Sequence, residues 1–153
     1  MSFRIFAGLF LLAACSSATQ GGYNNNGQLT GGASAQLAVD QFLGAVKLRD
    51  LQAMSTVFGT DKGPARETMD RTELEKREII LACYFNNDSY RILGERSGQG
   101  GHREVSVELK KGNLVRTTTF YAIQGPGGRW YVDNMDIAAV RDFCGNPGTS
   151  RPQ

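Results

Sequence analysis

The apolar residues of this chain change their spacing once, and that switch limits the fold more than any other feature. From Ala35 they recur every three or four positions, as Val39, Phe42, Leu43 and Val46, the stripe of an amphipathic helix. Ser34 stands where an N-cap hydroxyl is wanted. Asp50 can cap a second short helix over residues 51–58, with Leu51, Met54 and Phe58 on one face and Gly59 at its end. The polar stretch 60–67 holds Gly63-Pro64 and is expected to be a loop. A third helix is expected over residues 70–85, because Asp70-x-x-Glu73 and Thr72-x-x-Glu75 both have capping-box spacing and Glu73 lies one turn before Arg77. Its apolar face is expected to be Ile79, Ile80 and Cys83.

After Asn86-Asn87-Asp88 the period falls to two. Tyr90, Ile92 and Gly94 alternate with Arg91, Leu93 and Glu95, and Val105, Val107 and Leu109 alternate with Ser106, Glu108 and Lys110. Residues 114–124 are rich in Thr, Val, Phe and Tyr, and 129–133 read Arg-Trp-Tyr-Val-Asp. Gly-rich residues 97–101, Lys111-Gly112-Asn113 and Gly125-Pro126-Gly127-Gly128 separate these runs. Short connections join antiparallel neighbours, so the expectation is a four-stranded meander. A sheet with one apolar face and amphipathic helices bury each other, which makes the class α+β. Asp136 is expected to cap a short C-terminal helix from Ile137.

The charges are placed unevenly. Lys and Arg number 17 against 15 Asp and Glu, a formal net charge of +2 that gives no concentrated basic surface for nucleic acid. Between Arg4 and Asp40 there is no charged residue. The first part of that span, Arg4 followed by the apolar run Ile5-Phe6-Ala7-Gly8-Leu9-Phe10-Leu11-Leu12 and Ala13-Ala14, has the layout of an export signal. The run is shorter than the roughly 20 residues that span a bilayer. Leu12-Ala13-Ala14-Cys15 resembles the bacterial lipobox. That resemblance implies diacylglycerol on the Cys15 sulfur, cleavage after Ala14 and a membrane anchor through the lipid. Several acyl chains, at about 0.8 kcal/mol per buried CH₂, hold a protein on a bilayer. Ser16, in place of Asp, points to the outer membrane, periplasmic side, in a cell with two membranes. Residues 16–34 are Gly/Ser/Asn-rich with Tyr23 and Leu29 as the sizeable apolar groups, so they are expected to be a flexible tether. The expected organisation is therefore a signal peptide over 1–14, lipidated Cys15 and tether over 15–34, one domain over 35–144 and a disordered tail over 145–153.

The helix pattern Ala38-Val39-x-x-Phe42-Leu43-x-Ala45-Val46-x-x-x-Asp50-Leu51-x-Ala53-Met54, a later helix, and a sheet ending Gly128-Arg129-Trp130-Tyr131-Val132-Asp133 resemble the nuclear transport factor 2-like superfamily, in particular its small bacterial lipoproteins of unknown function. The resemblance implies a cone of the cystatin/nuclear transport factor 2-like kind, a curved sheet wrapped on helices, often with an apolar cavity. Residues 137–144 are an addition to that pattern, expected to cover the sheet or plug the cavity.

With Cys15 set aside for lipid, Cys83 and Cys144 are left in the exported domain, and their parity in an oxidising compartment favours a disulfide over two separate buried thiols. Two Cys and one His do not complete a four-ligand metal site, so neither metal nor other cofactor is expected. His102 follows a Gly-rich run that leads into a strand rather than a helix, which favours a hairpin loop over a phosphate cradle. Asp133-Asn134-Met135-Asp136 reads as chain turning and helix capping before calcium binding. Three functions stay open. The first is a non-catalytic envelope lipoprotein that binds a protein partner or a small apolar ligand. The second is a cyclase- or isomerase-like enzyme, for which the resemblance puts an acid on the inward sheet face; Glu108 or Asp133 with Tyr121 as donor are the candidates. The third is a scaffold that forms homodimers through the open sheet face. Side-chain parity in the sheet separates them.

Overall fold

The computed structural model describes residues 29–145. The expected signal peptide, the expected lipid site at Cys15, most of the expected tether, and the expected tail beyond Gly145 lie outside them. The fold is α+β. Helices α1 (Ala35–Leu48) and α2 (Leu51–Val57) come first, followed by a two-residue hairpin, β1 (Gly59–Thr60) with β2 (Gly63–Pro64). Then come α3 (Ala65–Thr68), α4 (Arg71–Tyr84) and four strands, β3 (Ser89–Ser97), β4 (Arg103–Lys111), β5 (Leu114–Gln124) and β6 (Trp130–Met135). The strands form one antiparallel sheet in sequence order.

Local chemistry sets the helix starts. The side chains of Ser34, Asp50 and Asp70 accept hydrogen bonds from the N–H groups of Leu37, Ala53, and Thr72 with Glu73, at 2.9 to 3.2 Å. Along β4 the residues Val105, Val107 and Leu109 are buried on the helix side, with Phe120 and Ala122 beside them on β5 and Val132 on β6. Against them α1 lays Ala38, Val39, Phe42, Leu43 and Val46. Phe42 touches the rings of Phe58, Phe85 and Phe120 at centroid distances of 6.0 to 6.4 Å, and Phe85 lies 5.0 Å from Phe120. This aromatic cluster fills the space between helices and sheet.

Five expectations change. Residues 60–67 are not irregular throughout: Gly63, at φ +121°, lets the chain double back, and α3 begins at once after Pro64. On α4 the buried face is Leu74, Glu78 and Leu81, whereas Ile79 and Ile80 are 55% and 52% exposed. The spacing 74, 78, 81 and 85 meets α2 and the phenylalanine cluster, and that stripe leaves the two isoleucines outside. A β-bulge after Ile92 shifts the alternation, so that Glu95 lies opposite Val105 and its carboxylate meets Arg103 Nε at 2.5 Å. The C-terminal segment forms one 3₁₀ turn, Ala138–Val140, with Asp136 Oδ1 accepting from the Ala138 N–H at 3.0 Å. Its Val140 and Phe143 are buried, and Cys144 is joined by a disulfide to Cys83 at the end of α4, with Cα atoms 5.0 Å apart.

The fifth change concerns the tether. Its last residues belong to the folded body. Gly31 N–H donates to the Thr56 carbonyl at 2.8 Å, and Gly32 exchanges backbone hydrogen bonds with Trp130 at 2.7 and 2.9 Å. The Arg129 side chain donates to the carbonyls of Thr30 and Gly31, and the Thr30 and Tyr131 hydroxyls lie 3.0 Å apart. Small size is what allows this. A Cβ on Gly32 would stand 2.4 Å from the Ala38 nitrogen, and one on Gly31, at φ +70°, 2.8 Å from the Trp130 oxygen.

Candidate functional site

Because Val105, Val107 and Leu109 face the core, period-two alternation turns Glu104, Ser106 and Glu108 to the opposite, uncovered face of the sheet. Tyr121 lies on that face too, in register between Glu104 and Asn134. The inward acid expected at Glu108 is therefore corrected. Glu108 accepts from Arg91 across the strands at 3.4 Å, as Glu104 does from Arg96. Such pairs belong to a solvated sheet face.

Asp133 is the residue left without a partner where the β5–β6 register shifts between Tyr121 and Ala122. The bulge aims its carboxylate at the loop between β3 and β4, where Oδ2 lies 2.7 Å from His102 Nε2. The structure thus brings Asp133, Tyr121 and His102 to one shallow depression with Gln99, Glu104 and Asn134, but leaves Glu108 four residues along β4, about 13 Å away. His102 Nδ1 stands 2.9 Å from the Gln99 carbonyl oxygen. A carbonyl and a carboxylate both accept, so the two contacts are both satisfied when the ring is protonated. The hydrogen bond to Asp133 is the main cause that holds the His102 pKa above its ordinary value, helped by the Gln99 carbonyl and opposed by burial. In that protonated form the ring has no lone pair for general-base work. Here it clamps the hairpin loop to β6.

A second place lies on the face of α4 that the expected phasing left outside the core. The face shared by Arg71, Leu74, Glu75 and Glu78 on α4 meets Leu51, Gln52 and Ser55 on α2 and Arg66 on α3 around a cleft of about 330 Å³. Glu78 is 3% exposed, and its Oε1 is buried without a hydrogen-bond partner. Burial, and after it the charge of Glu75, push its pKa up to about 7. The signal was present in the sequence: Glu78 stands four residues after Leu74 and three before Leu81. Phasing the helix on Ile79 and Ile80 hides it.

Among the described residues no group of three or more His, Cys, Asp or Glu side chains is placed to hold a metal ion. No described helix is long and apolar enough to cross a membrane. No protein-family model, curated protein or solved structure matches the chain.

Proposed function

We propose that this chain is a lipid-anchored protein of a bacterial cell envelope whose folded domain binds rather than catalyses. The observation that carries the anchor is Leu12-Ala13-Ala14-Cys15, placed directly after an uncharged apolar run that starts behind Arg4. The disulfide between Cys83 and Cys144 supports an oxidising compartment, and Ser16 favours the periplasmic side of the outer membrane. The order of helices followed by a bulged meander supports a cone of the nuclear transport factor 2-like kind. With Phe42, Phe58, Phe85 and Phe120 packed between its layers, such a cone is filled, which weighs against a cyclase or isomerase pocket in its interior. Glu104, Glu108 and Asp133 are paired on the open face, and Glu95, on the side of Val105, is paired with Arg103, which favours contact with a partner or a second copy over proton transfer.

Cys15→Ser tests the anchor. The parent chain takes up labelled fatty acid and sediments with envelope membranes, and the variant accumulates uncleaved or in the soluble exported fraction. Unchanged acyl labelling and sedimentation of the variant would overturn the proposal.

A further inference from the structure

We infer that the cleft between α2, α3 and α4 is a binding site for a small primary ammonium carried on a short apolar stem. The inference does not depend on acylation of Cys15. It starts from Glu78, a carboxyl group buried on the core stripe of α4 whose Oε1 has no hydrogen-bond partner and which lines the cleft. A buried orphan acceptor costs free energy, and a ligand that satisfies it recovers that cost.

The cleft offers three acceptors. Glu78 supplies one. Glu75, three residues earlier on the same helix face, supplies a second at the exposed side. Ser55 supplies the third: its hydroxyl hydrogen is donated to the Gln52 carbonyl at 2.7 Å, so its oxygen is left to accept. Three acceptors match the three N–H donors of a primary ammonium. Leu51 and Leu74 line the same cleft and suit an aliphatic stem, and about 330 Å³ is at the small end of ligand pockets. The charged groups lining the cleft around Glu78 are Glu75 and Arg71 from α4 and Arg66 from α3; α2 contributes only uncharged Leu51, Gln52 and Ser55. Of these, Glu75 raises the Glu78 pKa by its negative charge, which a bound cation would offset. Arg66 has a carboxylate partner of its own in Glu67, at 3.8 Å.

The ligand binds the ionised form of Glu78. With a carboxyl pKa of about 7, occupancy by a cation releases a proton near neutrality, and affinity rises about tenfold from about pH 6 to about pH 8.

The test is calorimetric titration of the purified full chain, in nonionic detergent, with n-butylammonium chloride, and with tetramethylammonium chloride as a cation that has no N–H. The expected result is saturable binding of n-butylammonium with proton release, detected as a dependence of the heat on buffer ionisation. Tetramethylammonium binds at least about tenfold more weakly, because the charged hydrogen bonds are missing. Glu78→Gln weakens n-butylammonium binding by about 10- to 100-fold, and Glu75→Gln, on the exposed side of α4 where folding is not at stake, by several-fold. No saturable binding to the parent chain would overturn the inference. So would equal affinity for the two cations, proton uptake, or unchanged affinity in both variants.

Discussion

Glu78→Gln should make the domain more stable in mildly alkaline solution and less stable in acid. In the folded chain the carboxyl pKa is raised from 4.5 to about 7. Between those values the folded state keeps a proton that the unfolded state gives up. The stabilising contribution is complete below about pH 4.5 and is lost as pH rises through about 7. At about 1.4 kcal/mol per pH unit, the rise from 4.5 to about 7 corresponds to about 3 kcal/mol between the two limits. The group is 3% exposed, so solvent screening takes little from that figure. The amide of the variant does not titrate, but it inherits the orphan position and costs about 1 kcal/mol at every pH. The parent is then ahead by about 1 kcal/mol near pH 4, and the variant by about 2 kcal/mol near pH 8.5, a gain of about 8 °C in melting temperature at this domain size. Urea denaturation followed by fluorescence of Trp130, the single tryptophan, reads both differences directly. The His102–Asp133 contact also loses strength as pH rises, but it is common to parent and variant and cancels in the comparison. Parallel stability curves for parent and variant over the whole range would refute the reasoning, because they would mean that Glu78 ionises as freely in the fold as in the unfolded chain.

Three other outcomes follow from the packing. Replacing Cys83 and Cys144 together by Ala reopens a loop of 61 positions and should cost about 4 kcal/mol from loop entropy; non-reducing peptide mapping of the parent should recover the two cysteines in one linked pair, and two freely alkylated thiols would contradict it. His102→Gln should lower stability more near pH 6 than near pH 9, since a histidine with a raised folded pKa contributes fully below about 6.5 and loses that contribution on deprotonation; an equal penalty at both pH values, read by thermal melting, would show that the clamp does not depend on charge. Gly32→Ala should expose the Trp130 amide to hydrogen exchange and cost about 2 kcal/mol, because the new methyl meets backbone of α1 that cannot move aside, whereas Gly44→Ala, with nothing within 4 Å of its Cβ, should be stabilising by up to about 1 kcal/mol; similar effects at the two sites would contradict the docking of residues 31–32.

The class of each main element was legible in the chain because it follows from local chemistry. Ser34, Asp50 and Asp70 cap their helices with their own side chains, and Val105, Val107, Leu109 and Phe120 alternate along their strands as the pleat requires. Gly112 and the run 125–128 bring consecutive strands together over short connections, which leaves an antiparallel meander as the economical arrangement. None of these depends on a distant partner.

What depends on distant partners was decided by the tertiary structure. A helix with apolar residues on two faces can bury either, and α2 together with Phe85 and Phe120 selected the stripe through Leu74, Glu78 and Leu81, leaving Ile79 and Ile80 in solvent. One extra residue in β3 moved Glu95 toward Arg103, and the register shift between β5 and β6 turned Asp133 toward His102, because in a period-two element a single insertion exchanges faces. Gly31 and Gly32 look like spacer in a Gly/Ser/Asn segment, and only the approach of Trp130, Tyr131 and Ala38 to within methyl distance makes them structural. The proposed export signal and lipobox, by contrast, rest on residue order alone; Glu78 acquires its chemistry only when the helices close over it.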